Sequence, residues 1–156
     1  MKKVVVIGFP GAEKSSFSLT LRKITGLPHY FLDMFWYDLL DGKTITQEVF
    51  DERVHYLVQQ PQWIIDGNYP HSLPERLQAC DTVMLLEPPA EIFLGGGNDA
   101  PIPKELRQAA QEFSRDQLPQ LREMIAQHCA GKDVLVFRTD QESDAYLSSL
   151  QEGLQG

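Results

Sequence analysis

Lys14 and Ser15 close the run Gly8-Phe9-Pro10-Gly11-Ala12-Glu13-Lys14-Ser15, which departs by one residue from the phosphate-binding pattern G-x-x-x-x-G-K-[ST]. In such a run, successive backbone N–H groups curl round an anion and the following helix turns its positive end toward it. Gly8 and Gly11 permit the tight backbone, the Lys14 ammonium has the reach for β- and γ-phosphates, and the Ser15 hydroxyl suits Mg²⁺. Gly8, Gly11, Ala12, Glu13, Lys14, Ser15 and Ser16 are therefore the candidate nucleotide-phosphate residues. The blander alternative is a Gly/Pro turn with Lys14 merely solvated. Glu13 stands where the pattern has its second glycine. A carboxylate about 5 Å from one phosphate charge costs roughly 1–3 kcal/mol at effective dielectric constants of about 80 to 20. That is a roughly five- to hundred-fold loss of affinity, and less if Glu13 turns to solvent or pairs with a lysine.

Two further carboxylates have positions that suit chemistry. Trp63-Ile64-Ile65-Asp66-Gly67-Asn68-Tyr69 reads as an apolar strand ending in Asp then Gly, which sets Asp66 at the carboxyl edge of a sheet, where open α/β sheets bind ligands. Asp66 there suits Mg²⁺ held through a water, or simply an Asx turn. Asp33, in Phe31-Leu32-Asp33-Met34-Phe35-Trp36, ends the second expected strand on the same edge and could bind or deprotonate an acceptor hydroxyl. Phe35, Trp36 and Tyr37 could wall an acceptor pocket, or belong to an aromatic core cluster. Arg53 reads as a surface helix residue, with the grip of an anionic acceptor as its alternative. His29, His55, His71 and His128 lack ligand spacing and read as surface or boundary residues.

The elements that must position these groups follow from hydrophobic patterning. Short apolar runs at Lys3–Ile7, His29–Leu32, Trp63–Asp66, Thr82–Glu87 and Val134–Phe137 predict buried parallel strands. Between them, Phe17, Leu21 and Ile24 share one helix face, and Phe50, Val54, Leu57 and Val58 another. Leu106, Ala109, Ala110 and Phe113 suggest a third helix, Pro119 opens a fourth running to about Cys129, and Ala145 to Leu150 a terminal one. The alternation predicts an α/β fold with a parallel sheet layered on both faces. Pro88-Pro89, Gly95-Gly96-Gly97-Asn98, Pro101 and Pro103 predict an irregular, lid-like loop over 88–103.

At 156 residues the chain fits a single domain, 1–156. Net charge is −8, which disfavours nucleic acid as a partner. No apolar stretch reaches the roughly 20 residues of a membrane span, and the N-terminus enters a strand directly, with no sign of a signal peptide. Cys80 and Cys129, far apart in sequence, fit a reduced, cytoplasmic setting.

The series Ile7-Gly8-x-Pro10-Gly11-x-x-Lys14-Ser15, Gly26-Leu27-Pro28, Leu32-Asp33-x-Phe35-Trp36 in the order given, Trp63 to Tyr69, and Arg76-Leu77-x-x-x-Asp81-Thr82-Val83 resembles the adenylate-kinase-like P-loop kinases of the DNA topology modulation protein type. It covers residues 1 to about 88, and more loosely about Phe113 to Leu150 through Gly131–Arg138. The resemblance implies a three-layer P-loop NTPase fold with a five-stranded parallel sheet of the adenylate/shikimate kinase type. It also implies ATP as co-substrate with Mg²⁺, and transfer of the γ-phosphoryl group to a small acceptor. Lys14, Asp33 and Asp66 match its expected catalytic positions, and Ser15 and Asp66 its metal positions. Two departures stand out. Glu13 replaces the loop glycine, and residues 88–103 hold no Arg or Lys where a kinase lid supplies arginines, although Lys104, Arg107 and Arg115 follow. The expectation is a small-molecule kinase, with a catalytically impaired nucleotide- or phosphate-binding regulatory or partner-binding module as the alternative. Acceptor, base preference and oligomeric state stay open.

Overall fold

Val4, Val5, Val6 and Ile7 have no solvent exposure. An unbroken β-branched run suits a strand covered on both faces, because alternate side chains point to opposite sides. In the computed structural model this run is β1 (Lys3–Gly8), the middle strand of a parallel sheet ordered β2-β3-β1-β4-β7. The structure describes residues 1–10, 13–38, 40–93, 96–97 and 100–155. In chain order after β1 come α1 (Lys14–Thr25), β2 (His29–Phe31), a 3₁₀ turn (Leu32–Trp36), α2 (Gln47–Val58), β3 (Trp63–Asp66), α3 (Leu73–Ala79) and β4 (Thr82–Leu86). There follow α4 (Ala90–Phe93), the two-residue strands β5 (Gly96–Gly97) and β6 (Ala100–Pro101), α5 (Lys104–Glu112), a π-helical turn (Phe113–Gln117), α6 (Leu118–His128), β7 (Asp133–Phe137) and α7 (Asp140–Gln155). Helix α1 packs with α7, and α3 packs with both α2 and α6, giving helix–sheet–helix layers around the parallel sheet.

Strand register aligns the site. Val6 pairs with Asp66 and Asp66 with Phe31, so β3 and β2 end level while β1 runs two residues further, to Gly8. From β1 the chain passes to β2 on one side, and after β3 it crosses over β1 to β4 on the other, which makes the carboxyl end of β1 the switch point where such sheets bind ligands. Local chemistry sets the helix ends. Gly26 closes α1 in the left-handed region (φ +78°), its N–H donating to the Arg22 carbonyl. Thr46 caps α2 by accepting the Val49 N–H. The fully buried Trp63 sends its indole N–H to the Val58 carbonyl at 3.4 Å, tying the end of α2 to β3.

Several elements differ from the sequence expectation. Strand β2 stops at Phe31, and Asp33 belongs to the 3₁₀ turn instead of a strand end. Helix α3 was not anticipated. The expected helices around 106–113 and 119–129 are joined by the π-helical turn. The terminal helix starts at Asp140, five residues before Ala145, because Thr139 and Glu142 cap it reciprocally: the Thr139 hydroxyl accepts the Glu142 N–H while the Glu142 carboxylate accepts the Arg138 N–H. Within 88–103 the chain is not wholly irregular, since it carries α4 and the β5–β6 pair. Cys80 and Cys129, distant in sequence, are both buried, unbridged and close enough for their thiols to interact. Burial, with Cys129 beside it, pushes the Cys80 thiol up to about 12.

Candidate active site

The segment after β1 is anchored before it reaches the candidate anion site. Gly8 is held from two sides: its N–H donates to Asn68 Oδ1 at 2.9 Å, and Asn68 Nδ2 donates back to the Gly8 carbonyl at 2.8 Å. The Phe9 N–H donates to the Leu86 carbonyl at 2.9 Å, which joins the segment to β4. Only glycine fits here. Gly8 has φ +143°, and a Cβ on it would lie 2.0 Å from the Leu86 carbonyl oxygen. Gly11 and Ala12, both assigned to phosphate binding from the pattern, lie outside the described residues.

Helix α1 opens with no side-chain cap and no acidic residue in its first turn. The first intrahelical bond runs from the Phe17 N–H to the Glu13 carbonyl at 3.0 Å. The amides of Lys14, Ser15 and Ser16 therefore lack intrahelical acceptors, and they are the donors that serve an anion at a helix N-terminus. Glu13 sits at φ +53°, ψ +39°, the left-handed conformation that glycine adopts without penalty. The chain thus holds a left-handed turn at the pattern's glycine position with a glutamate in place. The Glu13 side chain is exposed and lines a shallow hollow with Ser16, Thr20, Asp140 and Asp144.

Lys14 is 9% exposed, so it is not a merely solvated lysine. Burial lowers its pKa, the Asp66 and Asp33 carboxylates oppose that shift, and the Arg76 guanidinium adds to it. All four charges therefore converge at the carboxyl edge. Asp66 is completely buried. Its Oδ2 contacts His29 Nε2 at 2.5 Å, while Oδ1 is buried with no hydrogen-bond partner among the described residues. His29 opens β2 at the boundary of the core, within the surface-or-boundary expectation, but its side chain is only 6% exposed. The one available signal was its place inside an apolar strand run.

Asp33 is exposed on the 3₁₀ turn and accepts the Tyr69 hydroxyl on Oδ1. Burial and this bond raise the Tyr69 phenol above its ordinary value. Tyr69 itself has φ +29°, next to Gly67 at φ +137°. This distorted segment is clamped by Arg76, which is fully buried and donates to the carbonyls of Gly67 (2.7 Å), Asn68 (2.6 Å) and Tyr69 (3.2 Å). Burial pulls Arg76 down to about 9, and the nearby Asp66 opposes the shift, so it stays protonated at neutral pH. Asn68, Tyr69 and Arg76 lie within the quoted motifs, but nothing in their residue types revealed that they brace the loop.

The aromatic run does not form one wall. Trp36 stacks flat on Phe50, with centroids 4.1 Å apart, and leans on Tyr69. Phe35 and Tyr37 instead face a separate groove of about 700 Å³ with Met34, Val49, Tyr56 and Leu57. Arg53 is a bracket here: its Nη1 donates to the carbonyls of Phe35 (2.9 Å) and Tyr37 (3.1 Å). Lys104 and Arg107 on α5 and Arg115 on the π-helical turn border one hollow of about 460 Å³. Arg115 is engaged by Asp116 through two bonds at 2.8 and 2.9 Å, whereas Arg107 Nε is buried without a partner among the described residues.

No group of three or more His, Cys, Asp or Glu side chains suited to a metal occurs among the described residues. Mg²⁺ does not need such a group, since it binds through one or two carboxylates, waters and substrate phosphates. The orphaned Asp66 Oδ1 fits that role.

No family model matches the sequence, and no curated protein is detectably similar to it. Solved structures do match in fold. The shikimate kinase from Acinetobacter baumannii in complex with shikimate superimposes with a TM-score of 0.64 at 16% identity, over 99% of this chain and 93% of that one. A shikimate kinase from Aquifex aeolicus gives 0.55 at 16% identity, over 98% and 96%. A gluconokinase from Sinorhizobium meliloti gives 0.52 at 16% identity, over 99% and 95%. The chain therefore has the P-loop fold of the adenylate/shikimate kinase type over nearly its whole length. No helix among the described residues is long and apolar enough to cross a membrane.

Proposed function

We propose that the protein is an ATP-dependent small-molecule phosphotransferase of the P-loop kinase type, acting as one domain in the cytoplasm. The observation that carries this reading is the buried Lys14 at the uncapped start of α1, electrostatically coupled to Asp66 and Asp33. A lysine held out of water beside two carboxylates is costly to maintain for fold stability alone, and perturbed groups of this kind concentrate at functional sites. In this reading the Lys14, Ser15 and Ser16 amides, with Gly8 shaping the turn, hold phosphate oxygens. The Lys14 ammonium neutralises charge that develops on the transferred group. The Ser15 hydroxyl, and Asp66 Oδ1 through a water, would hold Mg²⁺, which would supply further neutralisation of phosphate charge. Asp33, steadied by Tyr69, receives the acceptor hydroxyl's proton. Arg107, whose Nε has no partner among the described residues, takes the part of the missing lid arginine. The fold-level likeness to shikimate and gluconate kinases supports a small hydroxyl-bearing acceptor as an analogy.

One observation favours a second reading, an impaired P-loop protein that binds nucleotide or phosphate without transferring it. Glu13, Asp140 and Asp144 gather carboxylates beside the phosphate loop. Calorimetry with Mg·ATP, followed by acceptor-dependent ADP release over nucleosides, sugars and shikimate-like alcohols, separates the two. Binding abolished by Lys14→Ala, with release accelerated by one acceptor class, is the expected result. Binding without acceleration by any acceptor favours the second reading. No binding at all refutes both.

A further inference from the structure

We propose that His29 is the positioning residue for Asp66, fixing one carboxylate oxygen so that the other is presented to the Mg²⁺ shell. This rests on the phosphate-site reading above. His29 Nε2 lies 2.5 Å from Asp66 Oδ2, with the side chains 6% and 0% exposed. An ionised carboxylate can only accept, so the imidazole carries its hydrogen on Nε2 and donates it. Oδ1 is then the single oxygen of Asp66 left without a partner among the described residues.

The surroundings show why this bond matters. A carboxylate torsion is soft, so an unheld Asp66 turns toward the nearest cation. The cations that act on its surroundings are Arg76 and Lys14. Arg76 is already committed: its Nη groups bond the Gly67, Asn68 and Tyr69 carbonyls, and its Nε the Ser72 hydroxyl. Lys14 is the remaining choice. His29 therefore keeps Asp66 oriented for metal while Lys14 is left for phosphate. Partners that hold metal-directed side chains in this way are worth about 10–100-fold in metal affinity.

The test is calorimetric titration of ATP at a series of Mg²⁺ concentrations and in EDTA, for the parent, His29→Leu and His29→Gln. For His29→Leu, half-saturating Mg²⁺ rises about tenfold or more, while ATP affinity in EDTA stays within about twofold. For His29→Gln, whose amide also donates, the Mg²⁺ requirement returns to within about threefold of the parent, as expected for one restored hydrogen bond. A nitrogen-15 NMR spectrum of the parent shows His29 in its Nε2–H form, a readout that stands even if the leucine variant does not fold. A parental Mg²⁺ dependence in His29→Leu, equal losses with and without Mg²⁺, or an Nδ1–H imidazole overturns the role of His29 and leaves the phosphate site standing. A parent that binds no ATP at any Mg²⁺ concentration overturns the phosphate site and this role together.

Discussion

Replacing Glu13 by glycine tests the phosphate loop at its one irregular position. Two effects add. The backbone at Glu13 is left-handed, at φ +53°. A residue with a Cβ pays roughly 1–2 kcal/mol there, and glycine returns roughly 0.5–1 kcal/mol of that through the greater freedom of its unfolded chain. The net stabilisation is about 0.5–1 kcal/mol, and 1 kcal/mol corresponds to roughly 2–4 °C in Tm for a chain of this size. The second effect is charge. Glu13 is exposed, so the high-dielectric limit applies: about 1 kcal/mol per phosphate charge at about 5 Å, or roughly fivefold in affinity. Glu13→Gln separates the two, because it removes the charge and keeps the Cβ. Differential scanning calorimetry and Mg·ATP titration should show the glycine variant gaining in both Tm and affinity, and the glutamine variant gaining in affinity alone. A glycine variant with lower Tm, or ATP affinity unchanged in both variants, would refute the reasoning.

Gly8→Ala forces a Cβ to within 2.0 Å of the Leu86 carbonyl oxygen, so loss of about 3 kcal/mol or more is expected in urea denaturation. Tyr69→Phe removes the bond to Asp33. The folded phenol keeps its proton where the unfolded one, with a pKa of about 10, loses it, so the folded state binds more protons and stability falls as pH rises. The stability advantage of the parent over Tyr69→Phe, intact below about pH 10, should therefore shrink above it in denaturation measured across alkaline pH. Arg107→Ala should leave ATP affinity within about threefold and reduce acceptor phosphorylation on the order of 100-fold, the loss typical of one donor to a developing charge. Equal falls in both would make Arg107 a binding residue only.

The parallel α/β order was legible because the central strands are short, doubly apolar runs and helices such as α2 carry a repeating buried face, as in Val4–Ile7 and Phe50 to Val58, although edge strand β7 is partly exposed. Lys14, Ser15 and Asp66 were legible as candidates because a strand ending in a special turn leaves few places for its polar residues. Boundaries set by side-chain hydrogen bonds were less visible, as in the reciprocal cap of Thr139 and Glu142. The aromatic run at Phe35 to Tyr37 left a pocket wall and a core cluster both open, and the fold divides it between them: Trp36 stacks on Phe50 while Phe35 and Tyr37 line a groove.

From the residues alone, then, came the layered sheet, a strand-to-helix turn matching the phosphate-binding pattern and the anomaly at Glu13, since these depend on spacing along the chain. What only the folded molecule decided are the contacts between distant segments: Asn68 holding Gly8, Arg76 bracing residues 67–69, Cys80 beside Cys129, and His29 against Asp66. Pairings of this kind depend on strand order and register, and a side chain's partner across a parallel sheet leaves no periodic trace in its own neighbourhood.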